Sequence, residues 1–335
     1  MLNETSYYDP EVFASELRDV FASSWQLFGD VSSVEEPGSY AADTLITEPL
    51  LVVRGEDRRL RALSNVCRHR GAPVAAGRGS CDRFTCPYHG LAYDLEGHGL
   101  AGHGDLPRLA HEQIGPVLFV RPDGHDGERP FGGLGRLAEA HAGLPLVRTL
   151  RWNVDANWKL VVENFSECLH CRHVHPETLA ARVDLDAYRV VPDGLQAVHH
   201  IRSAPSEQLA GDPRASSGPG DDVVERFTYW LWPNSAISLL PEHLVTFRVL
   251  PVEAGASIVD RSVFGPPGDA ADAICAYLEA VTREDIGIVE SVQRAARSAH
   301  FHDGALDPDR ERGVAHFREL LRRATAGATG GGRAR

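Results

Sequence analysis

Two short stretches carry matched pairs of metal-binding side chains. "NVCRHRGAPV" holds Cys67-x-His69, and "FTCPYHGLAY" holds Cys86-x-x-His89. Two thiolates and two imidazoles suit either Zn²⁺ or an iron–sulfur cluster. A zinc finger groups its cysteines together and its histidines together. Here each segment contributes one of each, which suits a two-metal [2Fe–2S] cluster with the cysteines on one iron and the histidines on the other. Gly71 and Pro73 follow the first pair, Pro87 lies within the second and Gly90 follows it. Such residues make tight loops that turn backbone N–H groups toward cluster sulfurs. The alternative is a structural zinc knuckle, which would leave the protein colourless. Cys81 fits neither pair and reads as an ordinary thiol.

A second constellation lies at 163–177, "ENFSECLHCRHVHPE", with His170, His173 and His175. His170 and His173 share a helical face at i,i+3 and could bind a metal as they stand. His175 precedes Pro176, which disfavours the α region, so a helix over 157–175 should end there and the His175 ring could swing back. Spacing alone leaves these options even.

The elements that must position these groups divide the chain. Residues 1–38 read as a helical arm, with Val12, Phe13, Leu17, Val20, Phe21 and Trp25 at helical spacing. Residues 39–140 are rich in short strands and turns, including a hairpin around Gly55-Glu56-Asp57, and 124–135 resembles a linker. Residues 141–325 combine apolar strands with a long amphipathic helix over about 269–299 and a shorter one over about 309–324; 326–335 reads as a disordered tail. A net charge of −13 argues against nucleic-acid binding, and no apolar run is long enough to span a bilayer. The N-terminus lacks a basic flank and an apolar core, so a cytoplasmic location is expected. In that setting the six cysteines read as ligands or free thiols rather than a disulfide framework.

"CRHRGA…CPYHGLAYDLEG" resembles the Rieske domain of the ring-hydroxylating oxygenase family. The second constellation resembles the same family's motif, Glu-Asn followed by Asp/Glu-x-x-His-x-x-x-x-His, through Glu163-Asn164, Glu167, His170 and His175. The resemblance implies that His170 and His175 bind a mononuclear Fe(II), with His173 a solvated or helix-end residue. The acid follows Asn164 more closely than in naphthalene-type members and is glutamate, and "ECLHC" looks closer to the choline, betaine and carnitine oxygenases. Two histidines and one carboxylate leave open positions on Fe(II), so a third ligand is expected inside the domain. Asp285 falls within an apolar helical stripe of Leu278, Val281, Ile288, Val289, Val292 and Ala296, where a carboxylate is costly unless metal-bound or paired, the alternative being a salt bridge with Arg283 or Arg294 at the stripe's edge. "TREDIGIVESVQ" also resembles the family segment carrying this aspartate. Glu284, about a hundred degrees round the helix, should face elsewhere.

For the whole chain the resemblance implies an α+β protein. An all-β Rieske domain is followed by a helix-grip (START-like) catalytic domain, a curved antiparallel sheet wrapped on a long C-terminal helix. It implies a homotrimer in which Glu167 couples the cluster of one subunit to the iron of the next. It further implies a reductase or ferredoxin donor, O₂, and a small organic substrate that is hydroxylated or demethylated. The rival readings are an aromatic-ring dihydroxylating dioxygenase and a non-catalytic redox-sensing binder. Phe165, Tyr229, Trp230, Trp232, Asn234 and Leu239 could line the pocket or be ordinary core.

Overall fold

The computed structural model describes residues 4–100, 102, 104–203 and 225–326. The chain divides into two compact units, Phe21–Glu128 and Met1–Val20 with Arg129–Arg335. The tail at 327–335 lies outside the described residues.

The first unit is all β. Its main strands are β1 (Gln26–Asp30), β2 (Ser39–Leu45), β3 (Glu48–Arg54), β4 (Leu60–Ser64), β5 (Gly77–Ser80), β8 (Arg108–Ile114) and β9 (Val117–Arg121), in the order β1-β9-β8-β4-β3-β2-β5; β6 (Phe84–Thr85) and β7 (Ala92–Tyr93) form a separate ribbon. β3 and β4 are the hairpin expected around Gly55. Val52 and Val53 are buried, as are Leu118 and Phe119: such continuous apolar runs mark strands covered on both faces. The arm expected over 1–38 is divided. α1 (Pro10–Glu16) runs into a π-helical turn at Leu17–Phe21, whereas Gln26–Asp30 pairs with β9, so Trp25 leads into a strand instead of ending a helix.

The second unit is a seven-stranded antiparallel sheet with helices against it. Strands β10 (Leu146–Val154), β11 (Arg189–Asp193), β12 (Gln196–Arg202), β13 (Glu225–Leu231), β14 (Ser235–Leu239), β15 (Leu244–Glu253) and β16 (Ala256–Phe264) lie in the order β10-β16-β15-β14-β13-β12-β11. In the linker-like stretch, α2 (Leu134–Leu137) is a single turn. The long helix α5 (Asp269–Ala295) packs on β10 and β16 through Ala271, Ile274, Leu278, Val281 and Val289. Ile288, read from the sequence as part of that stripe, is 40% exposed instead. α6 (Arg312–Ala326) packs on β11.

The helix expected over 157–175 is two helices, α3 (Trp158–Phe165) and α4 (Cys171–Val174). Asn157 caps α3 by accepting from the Lys159 N–H. At its other end the Ser166 hydroxyl donates to the Val162 carbonyl, and Glu167 accepts from the Leu169 and His170 N–H groups. That local alternative to helical hydrogen bonding opens the chain between the two pieces. α3 is fixed from below by a buried pair: Lys159 Nζ lies 2.7 and 2.9 Å from the Glu16 carboxylate, which also accepts from Trp158 Nε1 at 2.8 Å.

Candidate active site

In the first unit the four cluster candidates sit on two loops of the same design. The Cys67 N–H donates to Ala72 O and the Gly71 N–H returns to Cys67 O; the Cys86 N–H donates to Leu91 O and the Gly90 N–H returns to Cys86 O, at 2.8–3.0 Å throughout. Both turns need a left-handed residue at the fifth position, and Gly71 (φ 76°) and Gly90 (φ 74°) supply it. Each loop buries its cysteine and leaves its histidine exposed, and the His69 and His89 rings stand 4.5 Å apart. Burial would raise the Cys67 thiol, but the Tyr93 hydroxyl, 3.3 Å from Sγ, and the His69 and Arg70 N–H groups outweigh it and hold the thiol below its ordinary range. Two buried thiols, beside two solvent-side imidazoles, fit a [2Fe–2S] cluster with inequivalent irons.

In the second unit the α3–α4 break carries Glu167 and His170, the end of α4 carries His175, and the middle of α5 carries Asp285. One donor atom from each of His170, His175 and Asp285 lies within 4.8 Å of the others. Asp285 Oδ1 is 2.9 Å from His175 Nε2 and 3.5 Å from His170 Nε2. Each histidine is held from behind through Nδ1, His170 by Glu167 and His175 by Glu284 at 2.7 Å. A carboxylate on Nδ1 fixes the tautomer that leaves the Nε2 lone pair free for a metal. Burial alone would lower His170, yet the Asp285 and Glu167 carboxylates push it up to about 9; His175 is raised in the same way, and the two histidines keep Asp285 low despite its burial. Two imidazoles and a carboxylate that already attract positive charge fit a divalent metal such as Fe(II).

Glu284 therefore does not face elsewhere: it also accepts from Thr178 Oγ1 at 2.6 Å. A search for a second-nitrogen partner to His175 is the signal that would have found it. His173 is exposed on α4. The cysteine reading needs a correction too. Cys168 and Cys171 form a disulfide, because the sharp turn between α3 and α4 brings their Cα atoms to 5.0 Å. Glu163 serves the fold: its carboxylate accepts from Arg318 at 2.9 and 3.1 Å and from Tyr7.

The triad opens on a cavity with about 200 Å³ of room, walled by Phe165, Leu239, Phe247, Arg261, Leu278 and their neighbours. Phe165 and Phe247 stack at 4.3 Å. Of the other aromatic candidates, Trp230 and Trp232 pack around Phe317 in the core instead. Tyr188 Oη lies 2.6 Å from His199 Nδ1, and burial drives His199 down to about 4, so the ring is neutral. Burial also keeps the Tyr188 phenol protonated, and His199 Nε2 is buried without a hydrogen-bond partner among the described residues.

Comparison with known proteins fits this arrangement. A family model for the ring hydroxylating alpha subunit (catalytic domain) matches residues 141–327, and one for the Rieske [2Fe-2S] domain matches 24–107. The oxygenase subunit of carnitine monooxygenase from Escherichia coli (strain K12) is 29% identical, covering 94% of this chain and 91% of its own length. That of glycine betaine monooxygenase from Chromohalobacter salexigens is 28% identical, covering 94% and 84%. A solved quaternary ammonium Rieske monooxygenase, described with carnitine oxidation and inter-subunit electron transfer, superposes with a TM-score of 0.81 at 23% identity, covering 96% of this chain and 94% of that one. The chain belongs to the ring-hydroxylating oxygenase alpha-subunit family, which joins a Rieske [2Fe–2S] domain to a catalytic domain with a mononuclear iron.

Proposed function

We propose that this chain is the terminal oxygenase component of a Rieske system that hydroxylates or N-demethylates a small methylated amine. Cys67, His69, Cys86 and His89 hold the cluster; His170, His175 and Asp285 hold the mononuclear Fe(II). The observation that carries the reading is the convergence of those three side chains on the wall of an otherwise largely apolar cavity. When bound, the two metal groups supply O₂ activation driven by electrons from a separate NAD(P)H-dependent reductase or ferredoxin.

The chain's own residues set the conditions for that chemistry. Glu167 and Glu284 orient the two imidazoles, and α5 delivers Asp285 between them. The Phe165–Phe247 stack and the aliphatic wall exclude water and turn the substrate toward the triad. Glu167 is also the residue we assign to coupling between subunits of a homotrimer. The activity of relatives on carnitine and glycine betaine supports a methylated-amine substrate. No helix among the described residues is long and apolar enough to cross a membrane.

The test is anaerobic reconstitution with Fe(II) followed by turnover with a reductase, NADH and O₂ on a panel of methylated amines and aromatic acids. We expect formaldehyde or a hydroxylated product from an amine, and Asp285→Ala to abolish turnover while cluster absorbance survives. Turnover by Asp285→Ala would refute the site; product from the aromatic acids alone would refute the substrate class.

A further inference from the structure

Arginines on two adjacent cross-strand rows of the sheet have opposite surroundings. Asp260 on β16 stands between Arg151 on β10 and Arg248 on β15, and both cations bind it: Arg151 Nε at 2.6 Å and Arg248 Nη2 at 2.6 Å. Arg261 is the next residue, so the strand's alternation turns it to the other face, in a row with Leu150 and Phe247. No described residue accepts a hydrogen bond from it or brings a carboxylate to ion-pair distance. Its Nε is shut off from solvent and unpartnered, and the guanidinium lies 5.0 Å from the Phe247 ring centroid. Asp285 acts on it from a distance, but that carboxylate is committed to His170 and His175.

A guanidinium in an apolar wall is costly to keep without an anion, and its planar fork of donors matches a carboxylate in two-point geometry. Arg261 lines the same cavity as the triad, together with Phe165, Phe247 and Tyr277. We propose that Arg261 is the anion anchor of this cavity, so that the substrates taken are small molecules bearing a carboxylate. This rests on the functional reading above only in taking the cavity as the substrate's. The proposal separates two kinds of methylated amine. A zwitterion can place its carboxylate on Arg261 while a methyl group turns to the triad; an amino alcohol of the same size leaves the guanidinium unpaired. His199 Nε2, on a ring whose centroid is 5.3 Å from that of Phe165, is a second buried polar atom in this wall without a hydrogen-bond partner among the described residues.

The experiment is calorimetric binding to the iron-loaded, oxidised holoenzyme, without reductant, so that no turnover is needed. The probes are matched pairs: glycine betaine and its methyl ester, γ-butyrobetaine and its methyl ester, phenylacetate and phenylacetamide. In the wild type the acid of at least one pair should bind about tenfold or more tighter than its neutral-headed partner. Arg261→Gln should erase that preference and Arg261→Lys should keep part of it. Equal binding within every pair, a preference that survives in Arg261→Gln, or no saturable binding by any acid at about 10 mM overturns the proposal. The wild-type comparison stands even if the variants fail to fold. Acid preference without product in the turnover assay would sink the oxygenase reading and leave the anchor standing; product with no acid preference would do the reverse.

Discussion

Glu284→Ala is the sharpest probe of how the metal site is built, because the residue is not one of the proposed ligands and reaches them through His175. In the structure Glu284 Oε2 accepts from His175 Nδ1 at 2.7 Å and from Thr178 Oγ1 at 2.6 Å. The His175 side chain is 1% exposed, so water does not readily replace the lost acceptor. Removing it frees the ring to flip or change tautomer and removes a charge that raises the basicity of Nε2. Loss of such a partner weakens metal binding about 10–100-fold, or about 1.4–2.7 kcal/mol. Glu284 is itself 31% exposed, which screens its charge and places the expected loss toward the lower end. Glu284→Gln keeps a neutral acceptor and should lose only a few-fold. The assay is anaerobic Fe(II) titration of protein stripped of mononuclear iron, with cluster absorbance as an internal control for folding. Fe(II) binding by Glu284→Ala as tight as the wild type's, with the cluster intact, would show that His175 is not a ligand oriented in this way.

Other outcomes follow from the same geometry. Cys67→Ser should lose the cluster's visible absorbance while Fe(II) still binds at His170, His175 and Asp285, read by iron content per chain. Lys159→Met should destabilise the second unit by about 3–5 kcal/mol in thermal unfolding, because it leaves the Glu16 carboxylate buried beside Trp158 without its cation. A loss below about 1 kcal/mol would mean that the pair is hydrated. Asp260 is held low by Arg151 and Arg248 in spite of its burial, so its stabilisation is present above the unfolded carboxylate range and is lost as pH falls through its lower folded value. Acid unfolding of Asp260→Asn should accordingly show a shallower pH dependence than the wild type below about pH 4. Differential alkylation should label Cys168 and Cys171 only after reduction.

The sequence by itself supplied the donor types of both candidate centres. Cys67-x-His69 and Cys86-x-x-His89, each with a glycine four residues after the cysteine, are local signals, because each loop closes its own hydrogen bonds between residues no more than five apart. Asp285 was legible because a carboxylate contradicts the helical stripe around it, and Leu278, Val281 and Val289 do pack inward. The choice of His175 over His173 was not legible from spacing, and the family motif had to supply it. Tertiary structure decided the remainder. The break between α3 and α4 comes where Glu167 takes the Leu169 and His170 N–H groups from helical bonding, and with the break come the Cys168–Cys171 pairing and the turn of His175 toward α5. Glu284 meets His175 across 109 positions of sequence. Arg261 has no hydrogen-bond acceptor among the described residues because sheet alternation turns it away from the Asp260 that serves Arg151 and Arg248. Local hydrogen bonding and periodicity are written along the chain, whereas which carboxylate reaches which imidazole or guanidinium depends on helices and strands far apart in sequence meeting at one cavity.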